Sequence, residues 1–195
     1  MIRTTFWLAA AALLAGVVAA AGAEAPVDHK LSAEAQKLPA GTNVAVMEVE
    51  GRGVVEIRML DAEAPKTAAN FEKLVADKFY DGIPFHRVVA DFVIQAGDAT
   101  LVGRPEPDLT LDVEPDLHKC VRGAMSMARG GYYDDAGNMV YAETSPTQFF
   151  ILMSDKPHLD DNFCVFGLVV AGMDVVDKVA QGDVIKSIRM VKVGD

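Results

Sequence analysis

The sequence predicts a mainly β fold, an antiparallel barrel that closes on itself and is capped by two α-helices. Short apolar runs recur along the chain between turn residues, and several alternate with the period of two that is typical of strands. Two segments instead place apolar side chains three and four residues apart, as amphipathic helices do. The composition, 51% hydrophobic and 24% charged over 195 residues, suits one globular domain with a core.

The N-terminal part of the chain is assigned to export and to a linker rather than to the barrel. Residues 1–23 begin with the positive Arg3 and continue into an apolar run shorter than the roughly 20 residues of a spanning helix, which is typical of a cleaved signal peptide. An uncleaved membrane anchor is the alternative. Residues 24–42 are polar and Ala-rich without a steady hydrophobic period, which predicts a leader or linker. The folded domain is therefore expected over residues 43–195.

The barrel elements follow in order along that domain. Residues 44–50 and 54–58 flank a Gly-Arg-Gly turn and predict an opening hairpin. Pro65 in a first helical turn, followed by Phe71 and Leu74, predicts a helix that ends near position 77. Further strands are predicted at residues 84–89, 92–95, 121–128, 148–152 and 163–170, a second short helix at 172–182 and a closing strand at 184–193.

Charge and cysteine content restrict the possible partners and the redox state. The formal net charge is -10, from 18 basic and 28 acidic residues, and loss of Arg3 with the signal peptide leaves 17 against 28, or -11. Such a surface repels phosphate backbones, so no nucleic-acid partner is expected, and no stable membrane insertion is expected after cleavage. Cys120 and Cys164 leave two alternatives open, one disulfide in an oxidising compartment or two buried thiols.

Polar residues at unusual places mark one predicted hairpin, residues 85–98. If residues 90–92 form its loop, Val89 pairs with Val93 and Arg87 with Gln95, and all four side chains share one face. An arginine that extends along the sheet surface is the ordinary alternative. That alternative does not explain a glutamine between two apolar neighbours.

Three clusters in this order resemble the cyclophilin family of peptidyl-prolyl cis-trans isomerases. They are Phe85-His86-Arg87-Val88, Gln95-Ala96-Gly97-Asp98 and Gln148-Phe149-Phe150. The resemblance extends over about residues 44–193 and implies an eight-stranded, cyclophilin-like antiparallel barrel with two α-helices. It also implies a monomeric isomerase that rotates X-Pro bonds in proline-containing client proteins without cofactor or metal. Together with the predicted signal peptide, this predicts a periplasmic or secreted enzyme with exported clients. A holdase that grips proline segments without turnover is the alternative.

Site residues come from the same resemblance, matched position by position. Arg87 matches the catalytic arginine of the family. Substrate binding is assigned to Phe92, Val93, Gln95, Ala128, Arg129, Gln148, Phe150, His158, Leu159 and Phe163. His86, although adjacent to Arg87, is expected to face away from the groove as a structural, hydrogen-bonded core histidine.

The chain departs from the family pattern at four of these positions and in one loop. Val93 replaces a common methionine, which makes the pocket slightly shallower. Arg129 stands where the family usually has Asn, and Phe163 replaces a frequent histidine at the pocket rim. His158 replaces a tryptophan that in many members contacts cyclosporin, which predicts weak cyclosporin binding. Residues 130–146 predict a long polar surface loop that borders the groove.

Overall fold

A single curled antiparallel sheet organises the fold. The computed structural model describes residues 29–109, 111, 112, 114 and 117–195, with the backbone alone for Tyr132 and Tyr133. The strands are β1 (Asn43–Val49), β2 (Gly53–Met59), β3 (Arg87–Val89), β4 (Val93–Ala96), β5 (Ala124–Tyr133), β6 (Met139–Leu152), β7 (Val165–Ala171) and β8 (Ile185–Lys192). They lie in the order β3-β4-β6-β5-β7-β2-β1-β8.

The two edges of this sheet approach each other just before β3 and β8. Pro84 and Val184 form an antiparallel bridge there, and the Phe85 amide donates to the Asp183 carbonyl at 2.8 Å. The predicted mainly β fold with eight antiparallel strands and two helices is confirmed. The sheet is a curled half-barrel rather than a closed cylinder. The edge strand β3 has three residues, which is too short for a continuous ladder to the other edge strand, β8.

Helix α1 (Pro65–Ala76) closes one end of the curled sheet, as its apolar spacing predicts. Phe71 is fully buried and its ring packs among those of Tyr80, Phe149 and Phe166, at centroid distances of 5.1 to 5.7 Å. Helix α2 (Met173–Val176) is a single turn, shorter than its sequence pattern predicts. Within the described ranges, no helix has the length and apolar character needed to cross a membrane.

A buried carboxylate from a distant loop caps the N-terminus of α1. Ala64 occupies the N-cap position and has no side chain that could accept a hydrogen bond. Glu114 takes over this role, since its carboxylate accepts from the Lys66 amide at 2.9 Å and from the Thr67 amide and hydroxyl, both at 2.6 Å. Burial raises the pKa of Glu114, but these hydrogen bonds outweigh it and the pKa lies below its usual range.

The segment predicted as a linker is packed on the domain from Leu31 onward. Leu31 and Leu38 lie against a small apolar cluster of the strands, and Ala35 between them is fully buried. The Ser32 amide donates at 2.8 Å to the carboxylate of Glu56, which is 2% exposed. The folded unit therefore begins before Asn43, because polar contacts to β2 hold a stretch that lacks a hydrophobic period. The predicted signal peptide, residues 1–23, lies outside the described residues.

The segment predicted as a loop, residues 130–146, forms strand rather than loop. Its two halves are the distal ends of β5 and β6, which pair as a two-stranded ribbon beyond the barrel. Asp134 accepts hydrogen bonds from the Ala136 and Asn138 amides and fixes the connecting turn. The polar composition that predicted a loop reflects a ribbon that is solvated on much of its surface.

Candidate functional site

The hairpin β3–β4 positions the two polar side chains that the sequence singles out. Arg87 pairs with Gln95 and Val89 with Val93, which confirms the predicted register. Asp91 in the connecting loop has a φ of 57°, a left-handed conformation that a tight three-residue loop requires. Because directly opposed residues of a ladder share a face, Arg87 and Gln95 project from the same side of the sheet.

Strand β6 continues this row with an aromatic ring. Phe150 pairs with Gln95, so Arg87, Gln95 and Phe150 stand next to one another across three strands. Gln148 lies two residues before Phe150, and its Oε1 accepts from Gln95 Nε2 at 3.2 Å. Gly97, whose φ is 99°, allows the chain after β4 to approach β6 closely. A Cβ at this position would lie 2.3 Å from the carbonyl oxygen of the residue before Gln148. A chain of hydrogen bonds thus holds Gln95 at the edge of an apolar surface.

That apolar surface is a depression of buried side chains. Val93, Phe150, Leu159 and Phe163 are each at least 92% buried and belong to one cluster. Phe163 meets Phe150 edge to face, with ring centroids 5.3 Å apart. The depression opens into a cavity of about 490 Å³, within the range usual for small ligand sites.

The Arg87 guanidinium lies at the rim of this cavity and is exposed. Its Cζ is 5.4 Å from the centroid of the Phe92 ring, a cation–π contact. Its Nη1 donates to Gln95 Oε1 at 3.4 Å, a long bond that leaves most of the donors available. Among the described residues, these contacts leave a positive charge with N–H groups available to a ligand beside an apolar depression. The His158 ring lies 6.5 Å from that of Phe92 at an angle of 23° and extends the same rim.

The opposite wall is held by Arg129 at the end of the barrel part of β5. Its Nε and Nη2 donate to the Ala142 carbonyl at 3.1 and 3.0 Å, and its Nη1 donates to the Asn162 carbonyl at 2.7 Å. The side chain therefore ties β6 to the loop that carries Phe163. Ala128, its neighbour, is buried and also lines the cavity.

The structure brings ten of the eleven predicted site residues into this one cavity, with Gln148 hydrogen-bonded to Gln95 behind them. Two further lining residues, Met139 and Tyr141, were missed because they fall in the segment predicted as a loop. The signal that could have found them is the apolar run at positions 139–141 directly after an Asp- and Gly-containing turn.

His86 is half-buried and is not one of the cavity-lining residues. Burial lowers the pKa of His86, against an opposing effect of the Asp98 carboxylate. Its Nδ1 is buried without a hydrogen-bond partner among the described residues, so the expected hydrogen bond is not made at that atom.

Cys120 and Cys164 are both buried as thiols, the second of the two alternatives. Across the part of the chain that the structure describes, no three His, Cys, Asp or Glu side chains are grouped to hold a metal ion.

Comparison with known proteins gives one consistent family. Residues 44–194 match the family model described as cyclophilin type peptidyl-prolyl cis-trans isomerase/CLD. Peptidyl-prolyl cis-trans isomerase B of Bacillus subtilis is 36% identical over 144 residues, which are 73% of this chain and 94% of that protein. A peptidyl-prolyl cis-trans isomerase of Helicobacter pylori strain J99 is 36% identical over 141 residues, 70% of this chain and 81% of that protein.

Solved structures give the same result for the fold. A cyclophilin type peptidyl-prolyl cis-trans isomerase of Cryptosporidium parvum superimposes with a TM-score of 0.65 at 25% identity, over 77% of this chain and 98% of that one. A second structure of that protein, obtained in the presence of the dipeptide Ala-Pro, superimposes with a TM-score of 0.62 at 24% identity, over 76% and 98%.

Proposed function

This chain belongs to the cyclophilin family of peptidyl-prolyl cis-trans isomerases, and on that premise we propose that it isomerises X-Pro bonds in exported client proteins with Arg87 as its catalytic residue. The observation that carries the assignment of Arg87 is its exposed guanidinium beside the buried side chains of Val93, Phe150, Leu159 and Phe163. The depression formed by these four side chains would hold the proline ring, and we call it the proline pocket.

The reaction is a rotation rather than a change of bonds. Resonance in the X-Pro amide opposes rotation by about 18 to 20 kcal/mol, and the uncatalysed exchange takes roughly tens to hundreds of seconds. An enzyme accelerates it by binding the twisted amide more tightly than either planar form. Each interaction gained only in the twisted state that contributes about 1.36 kcal/mol gives a tenfold higher rate.

The proline pocket holds the proline ring in place during that rotation. A pyrrolidine ring is apolar and compact, and the edge-to-face rings of Phe150 and Phe163 offer it an apolar surface that excludes water. Leu159, 94% buried in a short 3-10 helix, completes the floor. With the ring held, the acyl group that precedes the proline is the part that turns.

Arg87 supplies the interaction that is specific to the twisted state. In that state the proline nitrogen becomes pyramidal, and its lone pair accepts a hydrogen bond that the planar amide nitrogen cannot accept. The guanidinium is permanently charged and offers several donors in a rigid plane, which suits this role without any proton transfer. Its contacts with Gln95 and Phe92 orient the plane before substrate binds, so little reorganisation is needed.

Export of the protein is supported by its N-terminal sequence. Arg3 followed by the apolar run up to position 21 has the composition of a secretory signal, and the clients would then be proteins of the same exported space. Expression of the full chain followed by fractionation tests this. A mature form outside the cytoplasm that begins near Glu24 is expected, and a full-length form retained in the membrane fraction would indicate the anchor instead.

Catalysis is tested by two-dimensional NMR exchange on a proline-containing peptide, which needs no coupling protease. The wild-type chain should raise the exchange rate at substoichiometric concentration, and Arg87→Ala should lose most of this effect while it still binds the peptide. Equal exchange rates for both proteins would contradict the role of Arg87. Peptide binding without any acceleration by the wild type would favour a holdase.

A further inference from the structure

The ribbon formed by the distal ends of β5 and β6, residues 129–144, extends from the barrel and contributes side chains to the cavity that contains the proline pocket. We call it the hairpin arm. Gly131 pairs with Tyr141, and a Cβ on Gly131 would lie 2.9 Å from the Val140 carbonyl oxygen and 3.1 Å from Met139 Sδ. The bare glycine therefore lets the Met139 side chain lie against the backbone of β5.

Tyr141 extends the aromatic wall of the proline pocket onto the hairpin arm. Its ring meets Phe163 edge to face at 5.0 Å, and Phe163 in turn meets Phe150 in the same way at 5.3 Å. The Arg129 guanidinium covers the Tyr141 ring with its Cζ 5.3 Å from the centroid. Because Arg129 also donates to the Ala142 carbonyl, the ring and the arm are held in one position.

Met139 adds an apolar surface that is open to solvent. It lines the same cavity and is 42% exposed. Its unbranched thioether side chain adapts to apolar partners of different shape. Among the described lining residues, the permanently charged side chains are Arg87 and Arg129, and the Arg129 guanidinium donates to two backbone carbonyl groups. Met139 and Tyr141 therefore give the arm side of the cavity an apolar surface next to the Arg129 guanidinium.

We propose that Tyr141 and Met139 form a specificity subsite that binds a large apolar side chain flanking the proline of the substrate. The subsite is continuous with the proline pocket through Phe163, so a substrate that enters the pocket places a neighbouring residue against the arm. Peptides with phenylalanine or leucine next to proline are the favoured substrates, and peptides with alanine or glutamate there are poor ones. This inference rests on the proposed function, since it takes the apolar pocket as the place of the proline ring.

The test compares kcat/KM for two peptide series in which either the residue before or the residue after proline is Phe, Ala or Glu. In the wild type one series should favour Phe over Ala, and in the double variant Met139→Ala, Tyr141→Ala that ratio should fall about tenfold, toward one. Tyr141→Phe keeps the ring and should keep the ratio. Val140→Ala is the matched control, because its side chain points to the other face of the same strand and does not line the cavity.

A replacement variant and a second measurement complete the test. Should the double variant lose its fold by circular dichroism, Met139→Lys at the exposed end of the subsite replaces it, and this variant should shift the preference from Phe toward Glu. Calorimetric titration of the same peptides measures the preference in affinity independently of turnover. If the wild type does not accelerate exchange, the proposed function fails while the affinity ratio still decides on the subsite. A ratio unchanged from wild type in the double variant, or in Met139→Lys where that variant replaces it, would overturn the inference.

Discussion

Replacement of Arg87 by lysine separates the charge at the pocket rim from the shape of the group that carries it. Lysine keeps the positive charge but loses the planar fork of donors. In the structure the fork is oriented by two contacts at once, the 3.4 Å hydrogen bond to Gln95 and the 5.4 Å approach to the Phe92 ring. A flexible ammonium cannot keep both contacts while it points a donor at the proline nitrogen.

The size of the effect follows from the interaction that is lost. A hydrogen bond to a charged group contributes about 1.5 to 3 kcal/mol, and each 1.36 kcal/mol of lost transition-state stabilisation is tenfold in rate. We therefore expect kcat/KM to fall about tenfold to a hundredfold in Arg87→Ala, and about tenfold in Arg87→Lys, which retains the charge. Because Arg87 is exposed on a three-residue strand, neither change should alter the free energy of unfolding by more than about 0.5 kcal/mol.

The assay is NMR exchange on one peptide at several enzyme concentrations, with urea unfolding of each variant as the control for folding. Peptide affinity should change less than the exchange rate, since the guanidinium interacts most strongly with the twisted amide. A lysine variant with wild-type kcat/KM would show that charge alone suffices and refute the role of the planar fork. An alanine variant within twofold of wild type would remove Arg87 from the mechanism altogether.

Three further changes have defined outcomes. Glu114→Gln should lower the free energy of unfolding by about 1 to 2 kcal/mol at pH 7, measured by urea unfolding, because an ionised carboxylate accepts the Thr67 hydrogen bonds. Since the pKa of Glu114 is lowered in the folded state, the wild-type advantage should be lost as the pH falls through that pKa, and an equal difference at all pH values would contradict it. Gly97→Ala should cost about 2 to 4 kcal/mol, because its Cβ would lie 2.3 Å from the Thr147 carbonyl oxygen, whereas an unchanged melting temperature would refute the close approach. Cyclosporin should inhibit the wild type weakly and His158→Trp more strongly, and equal inhibition would show that this position does not control affinity.

The part of the site built on one short hairpin was predictable from the sequence. A three-residue loop and the period of two of a strand determine that Arg87 faces Gln95, and the structure has that register. Helix α1 was predictable for a similar local reason, because Pro65 marks its start and the spacing of Phe71 and Leu74 marks its buried face. In both cases the residues that specify the structure are close together in the chain.

The parts that were predicted wrongly depend on contacts between distant segments. The hairpin arm has a single apolar run of three residues, 139–141, among glycines and charged residues, so no hydrophobic period extends along it, and its pairing becomes visible in the ladder between β5 and β6. In the segment that begins at Leu31, Ser32 is held by a buried carboxylate 24 residues further on, at Glu56. Tyr141 joins the proline pocket through Phe163, which follows it by 22 positions and belongs to a different loop. Such contacts leave little trace in local composition.

The most direct test of the account is a structure of this chain with a short X-Pro peptide bound. We expect the proline ring against Phe150, Leu159 and Phe163, with a guanidinium nitrogen of Arg87 about 3 Å from the proline nitrogen or the adjoining carbonyl oxygen. A peptide bound elsewhere on the barrel, or a guanidinium that stays turned away from the bound amide, would contradict the mechanism.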